Sequence, residues 1–213
     1  AGADHPLALE SARQGADAGL IDPVLVGDAD VIRAAAREMD WDVATFTIVD
    51  AVGEEKAPAA AVALAKSGEV TSLMKGHLHT DTLLRAVLNR SHGLRTERRL
   101  SHVFVMDVPG HDKLLLVTDA AVNIAPDLQA KADITQNAID LARALGNGLP
   151  KAGILSAVET INPALPSTLD AAALSKMADR GQITGGLVDG PLAMDNAVDL
   201  EAARVKGLKG AVA

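Results

Sequence analysis

Apolar and polar positions along this chain follow two rhythms that take turns. Leu7–Ala18 repeats with helical spacing, with Pro6 at its start and Gly19 at its end. Pro23–Gly27 is a short apolar run that reads as a strand, and Asp28 caps the helix expected over Ala29–Met39. The β-branched stretch Ala44–Val49 predicts a strand, and the alanine-rich Ala57–Ser67 predicts a helix that tolerates Pro58 in its first turn. Thr71–Met74 reads as a strand and Thr80–Leu88 as a helix capped by its own threonine. Two further strands, His102–Val108 and Lys113–Thr118, flank a hairpin turn at Pro109–Asp112. The rest predicts helix Asp127–Leu145 ending at Gly146, strand Ala152–Ser156, loop Ala157–Pro166 and helix Thr168–Arg180. Strand Gly185–Val188 and helix Leu192–Lys206 close the series, and Ser167 with Asp170 has capping-box spacing.

Strands alternating with helices predict an α/β fold with parallel sheet and helices on both faces. The basic, turn-rich segment Asn89–Arg99, where βα units give way to a hairpin, marks a domain boundary. Residues 1–99 are expected to form a first α/β domain and residues 100–213 a second, incomplete one. Both ends read as cut. The first element is a helix rather than a strand, and apolar Leu208–Ala213 begins an element with no continuation. A sheet stopped there would keep an unpaired edge, which proteins normally cover.

Composition narrows the function classes. An apolar fraction of 48% in 213 residues is ample for packed cores, and no run has the length of a membrane span or a secretory leader. A cytoplasmic location is the simplest reading. Cysteine is absent, so there is neither a disulfide framework nor a thiolate nucleophile or ligand. A net charge of −8, with Trp41, Phe46 and Phe104 as the only aromatics, argues against a nucleic-acid surface. A small anion remains compatible, because local cations and backbone N–H groups bind phosphate on an acidic protein.

Several strand-end loops carry candidate chemistry. In Thr184–Ala197, TGGLVDGPLAMDNA, the pattern predicts strand, tight loop and helix, presenting Asp189 at a ligand edge. Gly190 would admit a close backbone approach there, and Pro191 would open the helix. In Met74–Thr80, MKGHLHT, Gly76 permits a tight turn, Lys75 supplies a cation, and the N–H groups near Thr80 suit an anion. Arg85 lies one turn or so into the helix that follows. A capped helix beside a solvated lysine fits the same letters. His77 and His79 are too close in sequence, and lack a third partner, to read as a metal pair. Asp119 and Asn123 could orient a ligand or form an Asx-turn. Glu159, Thr160 and Asn162 sit in a polar, proline-bounded loop, and Arg95, Arg98, Arg99 and Ser101 form a basic run that could bind polyphosphate or solvate a connector.

Taken together, MKGHLHTDTLLRAVL, RRLSHVFVMDVPG, LVTDAAVNIAPDLQAKADITQNAIDLARALG, ILSAVETINPALPSTLDAAALSKMADRG and TGGLVDGPLAMDNAV resemble the phosphate acetyltransferase/butyryltransferase family. The resemblance rests on the order and spacing of these strings and covers nearly the whole chain. It implies reversible acyl transfer between coenzyme A and inorganic phosphate, with coenzyme A as a substrate and no bound cofactor or metal. It also implies a homodimer with no nucleic-acid or membrane partner, and a two-domain, three-layer α/β/α fold like isocitrate and isopropylmalate dehydrogenases, with the ligand cleft between domains. In that fold a C-terminal segment completes the first domain. Thr80 and Arg85 match the family's acyl-phosphate contacts, and Lys75, Gly76, His79, Ser101, Asp119, Asn123, Thr160, Asp189 and Gly190 are its expected substrate-binding positions here. Family members continue past the equivalent of Ala213 with a Ser-Arg-…-Asp group that resembles the phosphate binder and the thiol base, so this chain alone is expected to be inactive. The alternatives are a non-catalytic acyl-CoA or acyl-phosphate binding module and a metal- and nicotinamide-dependent dehydrogenase of the same fold. The chain shows no dinucleotide fingerprint for the latter.

Overall fold

Pro6 opens the first helix as its position predicts. Helix α1 spans Pro6–Asp17, the His5 ring nitrogen accepts from the Leu7 N–H at its start, and Gly19 takes a positive φ just past its end. The computed structural model describes residues 1–210 and divides into two units between Glu97 and Arg98.

In the first unit, α1 is followed by β1 (Leu25–Gly27), α2 (Ala29–Glu38), β2 (Ile48–Asp50), α3 (Lys56–Ser67) and α4 (Thr80–Val87). Strands β1 and β2 pair in parallel, Leu25 opposite Ile48. Asp28 caps α2 by accepting from the Asp30 and Val31 N–H groups. Leu9, Ala12, Leu25, Ile32 and Ala36 form one core, with Trp41 and Phe46 packed on its margin. Val26, Ala51, Ala57 and Ala61 form a second core under α3. Each fully buried leucine or isoleucine contributes roughly 1.5–3 kcal/mol, so Leu9 and Ile32 are the main ties between helices and sheet.

The strand expected over Thr71–Met74 does not form. Residues 74–77 bond instead to the chain's own start: the Ala1 ammonium donates to the Met74 carbonyl, and the Gly76 and His77 N–H groups donate to the Ala1 and Gly2 carbonyls. The Gly2 and Ala3 N–H groups in turn reach the Val26 carbonyl of β1. The Met74 carbonyl and the N–H groups of Gly76 and His77 are therefore paired without a strand ladder.

The second unit contains β3 (Val103–Met106), β4 (Leu115–Thr118), α5 (Leu128–Ala144), β5 (Lys151–Leu155), α6 (Pro166–Asp179), β6 (Leu187–Leu192), α7 (Met194–Val198) and α8 (Leu200–Val205). Strands β3 and β4 form the expected antiparallel hairpin, with a longer turn than the sequence suggests. Strands β5 and β6 are parallel, and Ile139, Leu174, Ile183 and Val188 pack α5 and α6 against them. The parallel pairing expected of an α/β chain is present between β1 and β2 and between β5 and β6, in two separate two-stranded sheets.

Three local expectations are corrected here. Ser167 and Asp170 form no capping box: Leu165 is the N-cap of α6 and makes no side-chain cap, Ser167 bonds to Ser156, and Asp170 pairs with Lys131. The single helix expected over Leu192–Lys206 is two, because Asp199 leaves helical geometry to cap α8 through the Glu201 N–H. Asp189-Gly190-Pro191 is not a strand-end loop but the middle of β6, which runs on to Leu192. Pro191 sits where the β5–β6 register shifts, a place that tolerates a residue without an N–H. The apolar segment read over 208–213 extends to residues 211–213, outside the described residues.

Candidate functional site

The sequence candidates gather into one group in the first unit and a looser set in the second. In the first unit, Lys75–Arg85 is a loop running into α4. Thr80 is the first residue of α4 rather than its cap; His79 holds the N-cap place with extended backbone, and no side chain caps the helix. Thr80 therefore does not act as the capping threonine. The consequence favours a ligand, since the first-turn N–H groups of an uncapped helix lack intrahelical partners and concentrate positive potential.

The cations of this loop already have internal partners. Lys75 Nζ donates to the Leu78 carbonyl at 3.0 Å. Arg85 donates to Asp81 one turn back at 3.1 Å, in a pair whose side chains are 67% and 73% exposed. His79 Nδ1 pairs with the Glu54 carboxylate, and that contact raises the imidazole above its ordinary pKa. Exposed pairs of this kind are worth little, so an incoming anion can exchange with them at small cost. Gly76 has a different role from the one expected. A β-carbon there would lie 2.2 Å from the Gly2 carbonyl oxygen, so the glycine admits the chain's own N-terminal segment rather than a ligand. Lys75, Gly76 and His77 also border a cavity of about 950 Å³, whose other walls include Leu7, Leu25, Leu64 and Leu73.

In the second unit, Ser101, Asp119 and Asn123 meet where β3 begins and β4 ends. The Asp119 carboxylate accepts from the backbone N–H groups of His102, Ala121, Val122 and Asn123 and from the Asn123 amide. Burial pushes its pKa up, but these bonds, led by Asn123, outweigh that and hold the group below the ordinary carboxylate range. Of the two roles open to Asp119 and Asn123, the turn is the one the geometry displays. Ser101 Oγ accepts from Asn137 of α5, which also bonds to the Arg99 carbonyl. Asn123 and Arg99 line a cavity of about 310 Å³ beside Pro126 and Asp127. From the basic run, Arg98 pairs with Asp140.

Thr160, Asp189 and Gly190 lie outside this network. Thr160 is exposed in the loop after β5. Asp189 accepts from the Gly190 N–H, and a β-carbon on Gly210 would strike its carboxylate at 2.0 Å. Gly190 is required by packing, because a β-carbon would come 2.7 Å from the Ile154 carbonyl oxygen. Its close backbone approach is to β5.

Sequence reasoning missed the partners: Glu54 for His79, and Asn196 and Lys206 for Glu159. His79, Glu159 and Asn196 stood in segments already singled out, but Glu54 and Lys206 did not, and no spacing rule links residues so far apart. Among the described residues no group of three or more His, Asp or Glu side chains gathers as for a metal ion, and no helix is long and apolar enough to cross a membrane.

Comparison with known proteins matches residues 54–213 to the family described as phosphate acetyl/butaryl transferase. A phosphate acetyltransferase of Rhizobium meliloti is 56% identical, over 98% of this chain and 67% of that protein. A phosphate acetyltransferase of Rickettsia prowazekii (strain Madrid E) is 49% identical, over 98% of this chain but 60% of the relative. A phosphate butyryltransferase of Clostridium acetobutylicum is 48% identical, over 99% of this chain and 69% of its own length. The chain thus spans about three fifths to two thirds of these relatives. In structure it is similar to a branched-chain phosphotransacylase from Enterococcus faecalis V583, with a TM-score of 0.80 at 29% identity, covering 100% of this chain and 74% of the other.

Proposed function

The chain belongs to the phosphate acetyl/butyryl transferase family, and we propose that the protein moves a short acyl group between coenzyme A and inorganic phosphate. The observation that carries this reading is the family match across residues 54–213, which includes the uncapped start of α4 as well as the second-unit segments. With no cysteine in the chain, no acyl-thioester with an enzyme side chain can form on it. The thiolate of coenzyme A attacks the carbonyl carbon of the acyl phosphate directly. The carbon–oxygen bond to phosphate breaks, phosphate leaves with the electron pair, and the thiol proton passes to a base. Thr80, Arg85 and the first-turn N–H groups of α4 hold the departing phosphate, where donors placed for developing charge have most effect. Lys75 and His79 add positive potential beside them. The base and the principal phosphate binder are expected in a segment following Ala213, as the family resemblance implies.

The reading includes coenzyme A as substrate rather than resident cofactor, a homodimer, a cytoplasmic location and the three-layer α/β/α arrangement of isocitrate and isopropylmalate dehydrogenases. It also keeps the division into an α/β domain over residues 1–99 and a second over 100–213. Ser101, Asp119, Asn123, Thr160, Asp189 and Gly190 shape the acyl-CoA side; for Asp119 and Gly190 the contribution is through holding backbone in place.

The test is thioester formation from acetyl phosphate or butyryl phosphate plus coenzyme A, using the protein as the cell makes it. Turnover with either donor is expected, and their ratio gives the acyl preference. Absence of turnover with both, alongside saturable coenzyme A binding, would replace the enzyme reading with that of a binding module.

A further inference from the structure

The loop after β5 ends in a junction that none of the substrate-binding assignments uses. Asn196, on α7, has no exposed surface at all. Its Nδ2 donates to Glu159 Oε1 at 2.5 Å, while its Oδ1 is buried without a partner. Lys206, just past the end of α8, donates to the same Glu159 oxygen at 2.6 Å and to Asp195 at 2.9 Å. One carboxylate oxygen therefore joins three pieces of chain: the loop, α7 and the end of α8. The charges agree with the geometry, since Lys206 draws both Glu159 and Asp195 below the ordinary carboxylate range and is itself raised by them.

An amide buried with one end unpaired is an expensive way to fill space, and an aliphatic side chain would be cheaper. What the amide does provide is direction. Its donor fixes the Glu159 oxygen from the buried side, and the Lys206 ammonium fixes it from the outer side. Glu159 is the immediate neighbour of Thr160, whose side chain is exposed and makes no hydrogen bond among the described residues.

We infer that Glu159 is a positioning residue, clamped between Asn196 and Lys206, that sets the place of the Thr160 loop for substrate; this rests on the acyl-transfer reading above and deepens it. The clamp touches no reacting atom. It acts through Thr160 and the loop backbone, so it affects binding more than the chemical step.

The experiment uses the protein as the cell makes it, with Glu159→Ala, Lys206→Met and Lys206→Arg. Glu159→Ala is expected to raise KM for coenzyme A or acyl phosphate about tenfold, the equivalent of roughly 1.4 kcal/mol, with kcat within about twofold. Lys206→Met should follow in the same direction, and Lys206→Arg should restore most of the wild-type KM. Unchanged KM in Lys206→Met overturns the clamp, whether or not Glu159→Ala folds. So does a loss confined to kcat. Hydrogen exchange supplies a readout independent of turnover: residues 157–165 should exchange faster in Glu159→Ala while α5 does not. Equal exchange overturns the clamp; wild-type inactivity with faster loop exchange overturns the acyl-transfer reading alone.

Discussion

The start of α4 and the end of β4 hold the two main sets of candidate residues, and they are built in opposite ways. At α4, the cations Lys75, His79 and Arg85 are exposed, each with a partner nearby in sequence or across an open surface, and α4 itself has no buried residue. At β4, a half-buried carboxylate accepts five hydrogen bonds from residues on both sides of the hairpin. The first arrangement can release its groups to a ligand. The second cannot let go of Asp119 without losing the loop. Polar loop residues picked out by the same reasoning thus separate into a set that can exchange partners and a set that is structure.

The largest expected effect breaks the second set. Asp119→Ala removes the acceptor for four backbone N–H groups and one amide, several of them partly buried. The loss should be about 1–3 kcal/mol of stability, the range for leaving partly buried donors without their acceptor. Urea unfolding followed by circular dichroism measures it. A loss below about 0.5 kcal/mol, the size of a neutral surface change, would return Asp119 to the list of ligand contacts.

Arg85→Ala inverts that result. Its pair with Asp81 is exposed, so stability should change by less than about 0.5 kcal/mol. Acyl transfer should fall on the order of a hundredfold, because a cation facing the leaving phosphate stabilises charge that develops in the transition state. Steady-state kinetics with acetyl phosphate or butyryl phosphate and a thermal melt are sufficient. A drop in melting temperature with unchanged kcat/KM would reverse the roles of the two regions.

Much of the fold was legible in the sequence because its signals are local. Pro6, Gly19, Asp28 and Gly146 each mark a helix end that forms where expected, and the hydrophobic spacing of α5 and α6 gives the second-unit core. The misreadings share a cause. Thr71–Met74, Pro191 and the break at Asp199 are settled by partners distant in sequence or by a competing local cap, and letter patterns do not rank these against periodicity. The site was legible as a set of loops. Which loop residue faces a ligand and which faces the protein was not, since Gly76 and Gly190 look alike whether they admit a substrate or a neighbouring backbone.

The smallest effect sharpens the comparison through pH. The Glu54 contact raises His79, so whatever stability the pair lends is complete below the imidazole's unfolded pKa of about 6.5 and fades as pH rises through the raised value. Asp119 has the opposite sign: its depressed pKa lends stability above an unfolded value of about 3.9, lost as pH falls through the folded one. The stability gap between Glu54→Gln and wild type should therefore narrow as pH rises above the ordinary imidazole value of about 6.5, and it should be small at any pH, because both side chains are exposed and screened. The same substitution should bring the His79 titration, followed by its ring-proton NMR shifts, back toward the ordinary histidine value. Asp119→Asn should leave that titration untouched and remove part of the acid sensitivity instead. A His79 titration indifferent to Glu54 would mean that the loop at α4 takes its charge from Lys75 and Arg85 alone.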